Sequence, residues 1–284
     1  MRQLIEHQSF YSIRGSLERS AEIFTRTGEP ILILSPPTLK GALSIAPLEA
    51  SLIDENIPYR RRFSTEKPNY SKFIRIVENP GIRNGEITNI SETTISPQTV
   101  EGLRGKRGDS RKGTLSTVAQ AHAIAQIISP SSQRLRRMRP WVLSGNWIGD
   151  ALDTTYDPVY TSLRDFLSEE GSIKIVPVTE IPNPEKGNYD WIEEGELDRI
   201  SKIWDTFDIN QKEMAMDSLA EPAIVRNTPT TARLEELIWH CIIGVDWETD
   251  LASQIFKLSE IWGESDQRRA ASDIADLLIS KGTS

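Results

Sequence analysis

Residues 31–35 read Ile-Leu-Ile-Leu-Ser, an unbroken apolar run held between Pro30 and the Pro36-Pro37 pair. A strand with one wetted face alternates apolar and polar residues, so a continuous run predicts a strand buried on both faces, as in a parallel sheet. Proline has no N–H for a sheet ladder and closes the run at each end. Parallel strands need a crossover, and KGALSIAPLEASLIDENI (40–57) has the pattern of the helix that supplies it, interrupted or kinked near Pro47. Further strands are predicted at 59–64, with arginines alternating outward, and at 73–78, closed by the turn signal Asn79-Pro80-Gly81. A weaker strand falls at 85–92. Helices are predicted at 16–28, stopped by Gly28, at 116–128, and from within 139–152. This order predicts an α/β fold: a parallel sheet with helices on both faces.

Beyond residue 155 the pattern changes. A helix around 159–170 and an apolar stretch at 173–178 lead into a loop, PNPEKGNYD (182–190). Helices at 194–206, 210–220, 230–243, 248–262 and 265–281 follow, with Thr230 or Thr231 and Ser265 as caps. The expected organisation is an α/β domain over 1–155 and an acidic, mostly helical region over 156–284. The opening segment has Glu6 and His7 where a signal peptide needs apolar residues, so a cytoplasmic location and no membrane association are expected. One cysteine, Cys241, excludes an intrachain disulfide framework and Cys-rich metal sites, and the three histidines lie far apart in sequence.

The net charge of −8 hides a division between the halves. Residues 1–150 carry 21 lysines and arginines against 14 acids, a net +7, and residues 151–284 carry 12 against 27, a net −15. A basic half is suited to phosphates, although a merely solvated acidic half produces the same asymmetry. The basic residues cluster. Arg104, Lys106, Arg107, Arg111 and Lys112 lie in the Gly-punctuated stretch LRGKRGDSRKG, read as a loop; Arg134, Arg136, Arg137 and Arg139 form a second group, and Arg60, Arg61 and Arg62 a third. Joined, they would make a groove tracking single-stranded DNA, with the first two groups as its seat.

The crossover after the first strand, PPTLKGALS, holds the position where open α/β sheets bind ligands. Neither a G-x-x-x-x-G-K-[ST] nor a G-x-G-x-x-G loop occurs there; only Gly41 opens the helix, where its backbone is able to approach an anion. Residues 31–63 resemble the opening of a DHH-superfamily phosphoesterase of the RecJ type. Aligned on Gly41, the family's histidine and two aspartates fall on Pro36, Thr38 and Lys40. IRIVENPGI (74–82) resembles the second motif, with Glu78 at its aspartate. STVAQAHAIAQII resembles the helix after the third, whose Asp-His-His is not recognisable, and PWVLSGNWIGD resembles the fourth, ending on Asp150. The resemblance covers roughly residues 30–155.

In that family these side chains hold two divalent cations that activate water. Thr38 is a poor ligand, Lys40 puts a cation inside the cage, and Glu78 and Asp150 alone do not support a two-metal site. The resemblance therefore implies a catalytically degenerate member with no cofactor. It also implies a binding or scaffold subunit in DNA replication or repair, contacting single-stranded nucleic acid and a GINS- or MCM-like protein. Lys40 is expected to lie between Glu78 and Asp150 in place of the missing cation. The alternative is an active Mn- or Mg-dependent phosphodiesterase or single-strand exonuclease holding metal through Glu78 and Asp150 with atypical ligands such as Asp109, Glu92 or Asp153. His122, in an Ala-rich helix, is read as a packed, hydrogen-bonded core residue. His240 and Cys241 are adjacent on a predicted helix and do not face each other. The seven tryptophans are read chiefly as core.

Overall fold

The computed structural model describes residues 1–25, 30–66, 70, 73–79, 92–105, 108–193, 195–264 and 266–284. Gly28, the turn at 80–81, most of the predicted 85–92 strand, Lys106, Arg107 and Ser265 lie outside the described residues. The chain forms α1 (Arg14–Thr25), β1 (Ile31–Ser35), α2 (Leu39–Asp54), β2 (Tyr59–Phe63), β3 (Phe73–Ile76) and β4 (Glu92–Ile95). β5 (Gln98–Arg104), β6 (Ser110–Leu115), α3 (Thr117–Ile128), α4 (Gln133–Arg137), α5 (Ser144–Trp147), α6 (Ala151–Thr154) and α7 (Pro158–Glu169) follow. The remainder comprises β7 (Ile173–Val176), α8 (Glu196–Ile203), α9 (Ile209–Arg226), α10 (Thr231–Ile238), β8 (Cys241–Gly244), α11 (Leu251–Glu264) and α12 (Gln267–Lys281).

β1 is central in a four-stranded parallel sheet of order β2-β1-β3-β4, and all five of its residues are buried. The fold is α/β, as the apolar run predicts. Residues in register share a face, so Ile31 and Ile33 stand with Tyr59, Arg61, Phe63 and Ile74, while Leu32 and Leu34 stand with Arg60, Arg62 and Phe73. α1, α2 and α12 reach the first face, through Thr93 of β4 and Arg61 of β2. α2 packs on α3, α1 packs on α3, and Ser20 of α1 meets Thr93 of β4 at 3.3 Å. α2 continues through Pro47, with every residue from Gly41 to Leu52 buried. A helix-interior proline costs about 3 kcal/mol, and burial of several large apolar side chains at about 1.5–3 kcal/mol each exceeds it.

Three local expectations fail. The stretch read as a basic loop is an antiparallel hairpin, β5–β6, with a bulge between Glu101 and Leu103. β6 is exposed except at Gly113 and Leu115, and a glycine gives no apolar signal, so the alternation that marks a strand in sequence is missing. Residues 241–244, read as the end of a helix, form β8 and pair antiparallel with β7. α10 ends at Ile238 instead. Thr230 occupies the N-cap of α10, but its hydroxyl donates to the Leu152 carbonyl at 3.0 Å instead of capping the helix. A single apolar cluster runs from Leu4 through β1 to Leu278 of α12. Among the described residues, no helix is long and apolar enough to cross a membrane.

Candidate ligand-binding edge

Four segments meet at the carboxyl edge of the parallel sheet. Leaving β1, the chain turns through Pro36 and Pro37 to Thr38, the N-cap of α2, whose hydroxyl accepts the Gly41 N–H at 2.9 Å. A short turn of this kind needs glycine at 41. A Cβ there would stand 2.3 Å from the Pro36 carbonyl oxygen and 2.6 Å from Ser35 Oγ. Gly41 thus serves close packing of the turn. The Thr38 hydroxyl donates in turn to the Glu78 carboxylate, just past the end of β3. Two residues that the resemblance aligns with separate motifs are therefore in direct contact.

The other two segments join through α3. Ser44, on the second turn of α2, lies 3.0 Å from the hydroxyl of Thr117 at the start of α3. Ser116 caps α3 by accepting from the Ala119 N–H, and its own N–H donates to Asn146 Oδ1 at 3.3 Å. The Asn146 amide donates to the Asp157 carboxylate at 2.9 Å, and Asp157 caps α7. The segments at 31–41, 73–78, 116–128 and 139–150 are thus linked by side-chain hydrogen bonds. Asp157-Pro158 was readable from sequence as a cap followed by N1 proline; Asn146 carried no local signal.

The expected role of Lys40 is not met. Lys40 is half-buried in the first turn of α2, and no ion pair joins it to Glu78 or Asp150 among the described residues. Glu78 takes a hydrogen bond from a neutral hydroxyl. Asp150 is exposed, sits at the N-cap of α6 and caps nothing with its side chain. Of the atypical ligands considered, Asp109 is exposed beyond β5, Asp153 is paired with Arg233, and the Glu92 side chain lies outside the described residues. Groups of three or more potential metal-ligating side chains are absent among the described residues.

The basic groups separate. β5 begins two residues beyond β4, and β6 returns into the N-terminus of α3, so the hairpin rises from the carboxyl edge. Arg104, Arg111 and Lys112 are exposed on it; Arg104 pairs with Glu101 at 2.9 Å, and Arg111 and Lys112 form no ion pair with a described residue. The hairpin is firmly seated, because a Cβ on Gly102 would come within 2.5 Å of the Pro158 backbone at the start of α7. The α4 arginines lie elsewhere. Arg134 pairs with Asp54, the last residue of α2, whose first turn is at the carboxyl edge. A 16-residue helix spans about 24 Å, which puts α4 at the opposite edge. The two groups therefore lie at opposite edges of the sheet, about one length of α2 apart. Arg136 and Arg137 are exposed there, but Arg139 is buried against Glu170 at 2.9 Å. In the third group Arg60 and Arg62 are exposed, while Arg61 turns onto Glu49 and Asp276 at 3.1 and 2.9 Å.

Burial sets the titration of the histidines. His122 is 3% exposed and pushed down to about 3 by burial and by the nearby Arg139 charge; its Nε2 has no hydrogen-bond partner. The packed reading of His122 is met and the hydrogen-bonded one is not at that nitrogen. Burial, with Arg2 beside it, pushes His7 down to about 4. Cys241 is buried on β8, its thiol raised by burial, and donates to the Leu237 carbonyl. Trp141, Trp147, Trp191, Trp204 and Trp247 are core residues, as expected.

Thr38→Val removes both the cap of α2 and the donor to Glu78. It is expected to lower stability by about 1–2 kcal/mol in urea unfolding, with Thr38→Ser close to the parent. Equal stability of the valine variant would show that the contact holds nothing in place.

The class defined by fold and site is an α/β module with a crossover, a capped helix N-terminus and a basic hairpin along one edge of a parallel sheet. No protein-family model matches the chain, and no curated protein matches it. Among solved structures, the chain is similar to the crystal structure of CDC45 from Entamoeba histolytica, with a TM-score of 0.49 and 9% identity. The match covers 97% of this chain and 68% of that one.

Proposed function

We propose that this chain is a non-catalytic, RecJ-like binding or scaffold module that works in DNA replication or repair. It would contact single-stranded nucleic acid along the carboxyl edge of its sheet and dock a GINS- or MCM-like protein partner. The observation that carries the reading is the use of Glu78. In a metal-dependent phosphoesterase of this layout, the carboxylate after the third strand must face an ion. Here it accepts a hydrogen bond from the hydroxyl of Thr38, which caps the neighbouring helix. The carboxylate holds the turn together. The replication context comes from the resemblance of residues 30–155 to the RecJ type, and the exposed cations of the hairpin supply the phosphate-facing surface.

The test is binding and turnover on one preparation. The chain is expected to leave single-stranded DNA and RNA intact with Mn²⁺ or Mg²⁺, and to bind single strands with a log–log salt slope of about −0.7 per phosphate neutralised. Reversal of Arg104, Lys106, Arg107, Arg111 and Lys112 to Glu should abolish that binding while the far-side Arg136→Glu and Arg137→Glu changes leave it intact. Metal-dependent hydrolysis lost in Glu78→Gln would overturn the non-catalytic reading, and unchanged affinity of the reversed hairpin would remove the hairpin from the interface.

A further inference from the structure

A second feature of the carboxyl edge stands where β2 ends. Between β2 and the first turns of α12 lies a cavity of about 250 Å³, lined by Arg61, Arg62, Phe63, Ser64, Glu66, Arg268 and Ser272, so that three cations share it with one carboxylate. Its base is fixed, because the Ser64 N–H donates to the Ser35 carbonyl at 2.7 Å and ties the cavity to the end of β1. The charges within it are unequally committed. Arg61 is held by Glu49 and Asp276. Arg62 and Arg268 are exposed and form no ion pair with a described residue. Ser64 Oγ accepts the Glu66 N–H, which leaves its proton free to donate, and Ser272 is half-buried one turn along α12 from Arg268. Asp266 is occupied as the cap of α12, and Asp276, one turn beyond Ser272, is held by Arg61.

Arg62, Arg268 and two serine hydroxyls line this one cavity, and such groups suit the oxygens of a tetrahedral dianion, since a guanidinium makes two parallel N–H···O bonds. We infer that the cavity between β2 and α12 is a phosphate-binding site. It takes free phosphate or a phosphate carried on a nucleotide or a strand. The site deepens the proposed function by adding a second phosphate contact to the same edge. Three strand spacings, about 14 Å, separate β2 from β4, from which the hairpin rises.

The experiment is calorimetric titration of the whole chain at matched ionic strength, with inorganic phosphate, a nucleoside monophosphate and a single-stranded oligonucleotide as separate arms. Inorganic phosphate should bind the parent and the hairpin-reversed variant alike, and Arg62→Gln/Arg268→Gln should weaken it about tenfold or more. Phosphate should also protect Arg62 and Arg268 of the parent from phenylglyoxal, a readout that needs no variant. Tighter binding of the monophosphate or the oligonucleotide than of free phosphate, lost in the same double variant, would identify the carried form as the ligand. Equal phosphate affinity of parent and double variant, or no binding and no protection in the parent, would overturn the site. Failure of the oligonucleotide arm alone would count against the nucleic-acid reading and leave the phosphate site standing.

Discussion

Arg139→Ala is expected to lower the free energy of unfolding by about 3–5 kcal/mol, the usual cost of leaving a buried charge without its partner. The Arg139 side chain is 2% exposed and that of Glu170 is 5% exposed, so water replaces neither. The guanidinium donates to Glu170 at 2.9 Å, to Gln126 Oε1 at 3.0 Å and to the Arg2 carbonyl at 2.8 Å. Gln126 in turn receives the Leu4 N–H at 2.9 Å. One side chain therefore fastens the N-terminal segment to α3 and α7. Arg136→Ala and Arg137→Ala, three and two residues earlier and exposed, should each change stability by no more than about 0.5 kcal/mol. Urea unfolding of the three variants decides it. A cost for Arg139→Ala as small as that of its neighbours would return Arg139 to the surface cluster in which its sequence places it.

The second large effect is a pH-dependent one at His122. In the unfolded chain this imidazole titrates near its ordinary value of 6.5, and in the folded chain burial holds it neutral down to about 3. Between those values the unfolded state binds the extra proton. Its contribution to stability is thus complete above pH 6.5 and is lost as the pH falls, by up to about 1.4 kcal/mol per unit. Comparison with His122→Leu isolates the group, because the other titrating side chains contribute equally to both proteins. Relative to its own difference from the parent at pH 6.5, the leucine variant should gain about 2 kcal/mol by pH 4.5. Parallel stability curves over that range would mean that His122 is solvated and able to charge in the folded chain. No metal or nucleophile role is needed for this effect; desolvation alone produces it.

The elements legible in sequence are those whose signal is local. The doubly buried β1, the crossover α2 and the helix α3 follow from apolar runs and prolines within a few residues of each other. The β5–β6 hairpin was not legible, because its buried positions are few and one of them is a glycine, Gly102, which gives no apolar alternation in sequence. β8 was not legible either. Four apolar residues after a helix read equally as its last turn, and only pairing with β7, more than sixty residues earlier, makes them a strand.

The candidate site divides in the same way. By itself the sequence determined that a strand buried on both faces would deliver Thr38 to the start of a helix, and that basic residues would gather in the first half. The tertiary structure alone decided what each charge does. Arg61, Arg134 and Arg139 find carboxylates 12, 80 and 31 residues away and become parts of the scaffold. Arg62, Arg111 and Lys112, a few positions away or on another strand, are left facing water. The type of residue fixes only that a cation is present. Whether it is desolvated against an acid or free to meet a phosphate depends on which distant segment folds over it, and that partner is set by the packing of α2, α7 and α12 around one sheet.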